Sequence, residues 1–271
     1  MGIGINNSNS VGNILNRHDN NLGTSFQRLS SGKQINSAKD NAAGMAIVER
    51  FAAQILGSDQ AFRNANDGIS LAQTSDGFSA QINEFMQRGR ELAVQSANGT
   101  LSDADRAALQ TEFSMIQDEV KRITDSAEFN GQKLLNSNAE LSFQVGANEG
   151  DQVKVNTADV QGEITSSGFF AADISTQAGA SASFSSLDDS MAQVNSYRAE
   201  LGATMNRFES IGRNLQNLEE NLAASKSRIL DTDYAQTVSD QTKDLLLRDA
   251  ATALHGQANF SQAQILNLLG G

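Results

Sequence analysis

Between residues 187 and 229 an apolar side chain stands at every seventh position: Leu187, Val194, Leu201, Phe208, Leu215, Leu222 and Ile229. A stripe of that period winds along one side of an α-helix and forms the seam of a coiled coil. Its companion positions begin at Met191 and Met205 and shift to Ile211 and Leu218, as a 3.6-residue helix drifts against a seven-residue repeat. At 1.5 Å per residue this helix is ~65 Å long, whereas a compact globule of this chain length has a radius of gyration of only ~18 Å. The pattern therefore predicts an elongated, mainly α-helical bundle.

The first half supplies partners for that seam. Val48, Ile55, Phe62 and Ile69 repeat at seven, and Leu71, Phe78, Phe85 and Leu92 continue the stripe after a shift, so residues 43–97 read as a second long helix weakened by Gly57, Gly68, Gly77 and Gly89. Asn98-Gly99 marks a turn, and Ser102 with Asp105 has the spacing of a capping box. Leu109, Phe113, Ile116, Val120 and Ile123 make the apolar face of a third helix that ends near Asp125. Only one region alternates with period two: LSFQVG (141–146) and QVKVNT (152–157), a hairpin across ANEGD. Residues 159–186, rich in Ser, Gly and Ala, read as loop or a weak second hairpin.

The two ends carry thinner stripes. Leu15, Leu22 and Leu29 are seven apart, with Val11, His18 and Phe26 beside them; near the other end Leu247, Ala251, Leu254, Ala258, Ser261, Ile265 and Leu268 alternate by four and three. Both helices are rich in Asn and Gln. The apolar area such a pair buries, at ~25 cal/mol per Å², does not offset ~1–2 kcal/mol of backbone entropy per residue. They are expected to fold only against neighbouring copies.

Composition narrows the classes. The 271 residues include no Pro and no Cys, two His, and a formal net charge of -12. Missing proline fits a chain of long helices, and also a chain that refolds after crossing a membrane, since slow X-Pro isomerisation is absent. Missing cysteine removes disulfides and thiol chemistry. The acidic balance argues against nucleic acid. The start, MGIGINNSNS, lacks a basic segment followed by an apolar core, and no stretch approaches the ~18 apolar residues of a membrane span, so no membrane insertion is expected and export would take another route.

The stretch FQRLSSGKQINSAKDNAAGMAI (26–47) contains a Gly-Lys pair, but Gly32-Lys33-Gln34 lacks the spacing and the Ser/Thr of a phosphate loop. Instead RLSSGKQINSAKDNAAGMAI, MQRGRELAVQSANGTLS, FNGQKLL and NLAASKSRILDTDYAQTVS together resemble the signatures of bacterial flagellin over roughly residues 1–158 and 187–271. The resemblance implies a structural protein that passes through the flagellar export apparatus with an export chaperone. It then polymerises beneath a cap, beyond hook-junction proteins, into an extracellular helical filament of many copies. Residues 1–42 and 231–271 would be paired terminal helices lining the channel, and residues 43–230 the outer rod, with its hairpin region at about 141–186. Ser30, Ser31, Gly32, Asn36, Ser37, Lys39, Asp40 and Asn41 would form the spoke that packs on adjacent subunits, and Leu15, Leu22, Leu29, Leu247, Leu254, Ile265, Leu268 and Leu269 the assembly anchors. A Toll-like receptor patch is implied at Arg88, Arg90, Glu91, Leu92 and Glu119, where Gly89 replaces the usual aliphatic residue. Having little between its conserved halves, the chain would lack outer globular domains.

An enzyme is the competing class. The carboxylates fall on polar helix faces, and His18 and His255 read as packing residues rather than bases, so no catalytic, cofactor or metal residues are assigned. A hook–filament junction protein shares related termini; the nearly complete NSAKDNAAG and SRILDTDYA segments favour the filament subunit.

Overall fold

The computed structural model describes residues 3–269, with side chains described for 11–258, 260 and 264. The elements in order are α1 (Ile3–Ser31), α2 (Ala42–Ser96), α3 (Asp103–Ser126), β1 (Glu128–Phe129), β2 (Gln132–Lys133), β3 (Glu140–Gln144), β4 (Gln152–Asn156), α4 (Val160–Ser166), a 3-10 turn (Phe169–Ala171), α5 (Gln177–Leu230) and α6 (Tyr234–Leu269). The chain divides into two compact units, one of residues 1–55 with 220–271 and the other of residues 56–219.

In the second unit α2 and α5 run antiparallel. Ser75 Oγ and Tyr197 OH are 3.0 Å apart, Asn83 Nδ2 donates to Asn195 Oδ1 at 2.8 Å, and Arg198 Nε donates to Asp76 Oδ1 at 2.7 Å. The seven-spaced residues Leu187, Val194, Leu201, Phe208 and Leu215 are all buried. Of the expected companions Met191, Met205 and Ile211 pack partly buried against the core, Leu218 is 46% exposed, and Ser183, Ser190 and Tyr197 are buried beside the seam as well.

The α2 stripe also needs correction. Its most buried line is Ser58, Ala61, Ala65, Gly68, Ala72 and Ser75, continued by Ser79, Ile82, Met86, Gly89, Ala93 and Ser96, an unbroken alternation of three and four. Phe62, Ile69, Phe78 and Phe85 flank this line, half-buried. The physical reason is volume: large α5 side chains need small residues opposite if the helices are to pack at interior density. Gly68 shows this best, because a Cβ there would lie 2.5 Å from the Phe208 ring. The α2 helix runs unbroken through its glycines.

At the end of α2, Arg106 of α3 is 7% exposed and its guanidinium donates to the carbonyls of Ser96 (2.9 Å), Leu101 (2.9 Å) and Asn98 (2.8 Å). A cation thereby meets the carbonyls that helix geometry leaves unsatisfied. The expected capping box is present, with Ser102 and Asp105 reciprocally bonded. Five rungs pair β3 with β4, from Glu140↔Asn156 to Gln144↔Gln152, and Val153 and Val155 point inward. A second, two-rung hairpin joins β1 to β2. It was missed although Asn130-Gly131, at φ 49° and 77°, is the residue pair that a two-residue primed turn requires.

Residues 159–186 are mostly helical, against the loop or weak hairpin expected. Asp159 caps α4 by accepting from Gly162 N–H at 2.9 Å, and Val160, Ile164, Phe169 and Ile174 are buried. Glutamines of α3 hold the segment: Gln117 Nε2 donates to the carbonyls of Phe169 and Ala172, and Gln110 Oε1 accepts from Ile174 N–H at 2.6 Å. Thr176 Oγ1 accepts from Gly179 N–H at 3.0 Å, so α5 starts ten residues before Leu187.

Candidate functional site

In the first unit α1 pairs with α6, and their connections to α2 and α5 zip together. Gly32, at φ 70°, ends α1 with its N–H on Arg28 O at 2.8 Å. A side chain there would be strained and would crowd the Tyr234 hydroxyl. Lys33 bridges Asp231 antiparallel, Gln34 N–H donates to Leu230 O at 2.7 Å, and Thr232 N–H donates to Gly32 O at 3.0 Å.

The polar residues that follow fold the linker on itself. Asp40 Oδ2 accepts from the N–H groups of Asn36 and Ser37, both at 3.0 Å, and from Ser37 Oγ at 3.2 Å. Those two backbone donors hold its carboxyl below the usual carboxylate range. Asn36 Nδ2 donates to Lys33 O, and Asn41 Oδ1 accepts from Gly44 N–H at 2.9 Å, capping α2. Beneath them Ile35, Val48 and Leu230 are buried, with Met45 and Ile229 packed partly buried against them. Thus Asn36, Ser37, Asp40 and Asn41 are engaged within the chain, Ser31 Oγ accepts from Lys33 N–H, and Ser30 and Lys39 are exposed.

A group whose folded pKa is depressed stabilises above its unfolded pKa, and the contribution is lost as pH falls through the folded value. Asp40→Asn is therefore expected to loosen this linker at neutral pH, read as faster amide hydrogen exchange at Asn36 and Ser37 than in the parent. The gap from the parent should close as pH drops below the ordinary carboxylate range; parallel curves would remove Asp40 from this role.

The α1·α6 seam is polar. His18 Nδ1 and Asp244 Oδ1 are 2.7 Å apart, both largely shielded, and Tyr234 OH donates to Leu29 O at 3.3 Å. Leu22, Ser25, Thr237 and Ala251 are buried, while Leu15 and Leu29 are half-buried. The apolar stripe expected to be continuous on α6 divides: Ala251 joins the seam, but Leu247 is 41% and Leu254 64% exposed. Phe26, Val238, Leu246 and Phe260 are exposed as well. The side chains of Ile265, Leu268 and Leu269 lie outside the described residues.

Around the predicted outer patch, Arg88 donates to Glu91 at 3.0 Å and to Glu112 at 2.8 Å. Arg90 pairs with Asp188 at 2.8 Å. Glu119 pairs instead with Arg122, at 2.6 Å, which holds its carboxyl low, and Leu92 faces the core. The surface cluster is thus Arg88, Glu91 and Glu112. Glu112 was missed because it meets Arg88 only across two helices. Gly89 lies against Phe113, which a Cβ would approach to 3.1 Å, so the missing side chain serves packing.

Two sequence families match this chain: the bacterial flagellin N-terminal helical region over residues 5–140 and the bacterial flagellin C-terminal helical region over residues 184–269. A flagellin of Halalkalibacterium halodurans is 41% identical over 245 residues, 90% of each chain. The flagellar filament 30.7 kDa core protein of Treponema maltophilum is 37% identical, covering 98% of this chain and 94% of its own. Among solved structures, Bacillus cereus flagellin superposes with a TM-score of 0.53 at 28% identity, over 60% of this chain and 94% of that one. A structure described as that of a flagellar hook-associated protein from Vibrio parahaemolyticus gives 0.60 over 71% and 100%, but at 16% identity it is a likeness of fold alone.

Proposed function

Because this chain belongs to the bacterial flagellin family and is a subunit of the flagellar filament, we propose that α1 and α6 are its polymerisation elements and that neighbouring copies cover their outer faces. One observation carries this reading. The two helices meet through a seam that includes His18 and Asp244, while Phe26, Leu246, Leu254 and Phe260 remain exposed. Large apolar side chains left outside a polar seam are what a helix shows when its burial comes from other molecules. The His18 ring is occupied in joining α1 to α6, which fits a structural protein rather than an enzyme.

On this reading residues 1–42 and 231–271 form the inner, channel-lining domain and residues 43–230 the outer domain. The subunit is secreted through the flagellar export apparatus with a chaperone, and adds beneath a cap beyond the hook-junction proteins. Purified protein seeded with ammonium sulfate should give long filaments in negative stain. A hook–filament junction protein, the alternative, would not, so persistent absence of filaments would favour it.

The Arg88, Glu91 and Glu112 cluster is the surface we assign to a host Toll-like receptor, available on the monomer. Exposed ion pairs contribute little to stability, so Arg88→Ala should keep the parent's helicity while lowering receptor signalling at sub-saturating dose. Equal signalling would remove the cluster from consideration.

A further inference from the structure

The methionine sulfurs of this chain differ in their access to water. Met115, in the middle of α3, is 66% exposed, whereas Met86 is fully buried and Met45, Met191 and Met205 are partly buried. Phe113, Ile116 and Val120 carry α3 against the core. Met115 lies on the outward side. Residues three or four apart on a helix share a face, so Glu112 stands one turn before Met115, and Asp118 and Glu119 one turn after it. Glu112 in turn accepts from Arg88 of α2, which also donates to Glu91. An apolar, polarisable side chain thus stands in a frame of charges, ~4.5 Å along the helix axis from Glu112.

Resting on the assignment of the Arg88, Glu91 and Glu112 cluster to a receptor, we propose that Met115 is a reversible oxidation site whose sulfoxide weakens recognition of that surface. In a contact surface an apolar residue ringed by polar groups gives much of the binding once covered, while the rim excludes water. The oxidant is a peroxide. The Met115 sulfur attacks one oxygen of hydrogen peroxide, an S–O bond forms as the O–O bond breaks, and the departing hydroxide takes the proton of the transferred oxygen and leaves as water. The sulfur gives up two electrons and the peroxide accepts them. The sulfoxide is polar and chiral, so covering Met115 then requires its oxygen to be desolvated. Met115 has no place among the core side chains, so the change leaves the packing of α3 as it was. Methionine sulfoxide reductases, one for each epimer, reverse it.

The test treats the full-length monomer with hydrogen peroxide and follows each methionine by peptide mass spectrometry. Met115 should be oxidised about tenfold or more faster than Met86, and ahead of Met45, Met191 and Met205, because reaction follows exposure of the sulfur. With Met115 oxidised and Met86 intact, the melting curve should match that of untreated protein, and receptor signalling at sub-saturating dose should fall about threefold or more. Incubation with both sulfoxide reductases should restore the signal. Met115→Leu keeps an apolar side chain without the sulfur, so it should signal close to the parent and lose nothing on the same treatment. Oxidation of Met115 no faster than that of Met86 would overturn the site. Unchanged signalling by protein oxidised at Met115, or an equal loss in treated Met115→Leu, would overturn its effect on recognition. If untreated parent does not signal at all, the receptor reading fails and the effect on recognition with it, whereas the order of oxidation, read by mass, stands or falls separately.

Discussion

Phe208→Asp is expected to unfold the second unit at much lower temperature than the parent. Phe208 is fully buried, its ring stands edge-on to Phe143 with centroids 5.6 Å apart, and it fills the notch left by Gly68. Truncating a buried Phe costs about 3–5 kcal/mol through lost burial and the cavity left behind, and a carboxylate without a partner adds to that. For a unit of this size each kcal/mol lowers the melting temperature by about 2–4 °C, so a fall of about 10 °C or more is expected by circular dichroism. Leu218→Asp, on the same helix but at an exposed position, should shift the transition by no more than the ~0.5 kcal/mol usual for surface changes. Similar melting curves for the two variants would mean that the face of α5 is misassigned.

The second large effect is on assembly. Deleting residues 247–271 removes the exposed Leu247, Leu254 and Phe260 with the rest of α6 beyond them, and leaves the α2·α5 seam untouched. The truncated chain should keep the parent's cooperative melting in its second unit and fail to form filaments at any concentration at which the parent polymerises, read by sedimentation and negative stain. Normal filaments from the truncated chain would contradict the assignment of α6.

How much of this was legible in the sequence varied with the kind of residue that carries the packing. Leu187, Val194, Leu201, Phe208 and Leu215 announce α5 because large apolar side chains at a fixed period need a buried face. Ser102 and Asp105 announce the start of α3 because their bonds are local. The Ala, Ser and Gly line on α2 has the same period but little side-chain hydrophobicity, so the stripe of Leu71, Phe78, Phe85 and Leu92, which does pack on the core, stood in for the centre of the buried face that it only borders. The helices within residues 159–186 were hidden for another reason: their glutamine anchors, Gln110 and Gln117, lie some fifty or more positions earlier in the chain. On α6 the expected stripe divides: Ala251 joins Asp244 in the seam with α1, and Leu247 and Leu254 stand exposed beside it. Nothing in the sequence says which of two faces meets a helix of the same chain and which meets another molecule. Residues 30–41 show the converse. Their Asn, Ser and Asp side chains read as contacts to other subunits, and Asn36, Ser37, Asp40 and Asn41 close bonds within their own turn.

The central claim is that α1 and α6 gain their order from neighbouring copies, because a seam of Leu22, Ala251 and a few polar pairs buries too little to offset the entropy of two long helices. Amide hydrogen exchange read by mass spectrometry on monomer and on filament tests it directly. In the monomer residues 11–31 and 234–258 should exchange as fast as unstructured peptide while residues 61–96 and 187–215 stay protected, and in the filament all four segments should be protected. Protection of the two terminal segments in the monomer equal to that of the α2·α5 seam would contradict the account.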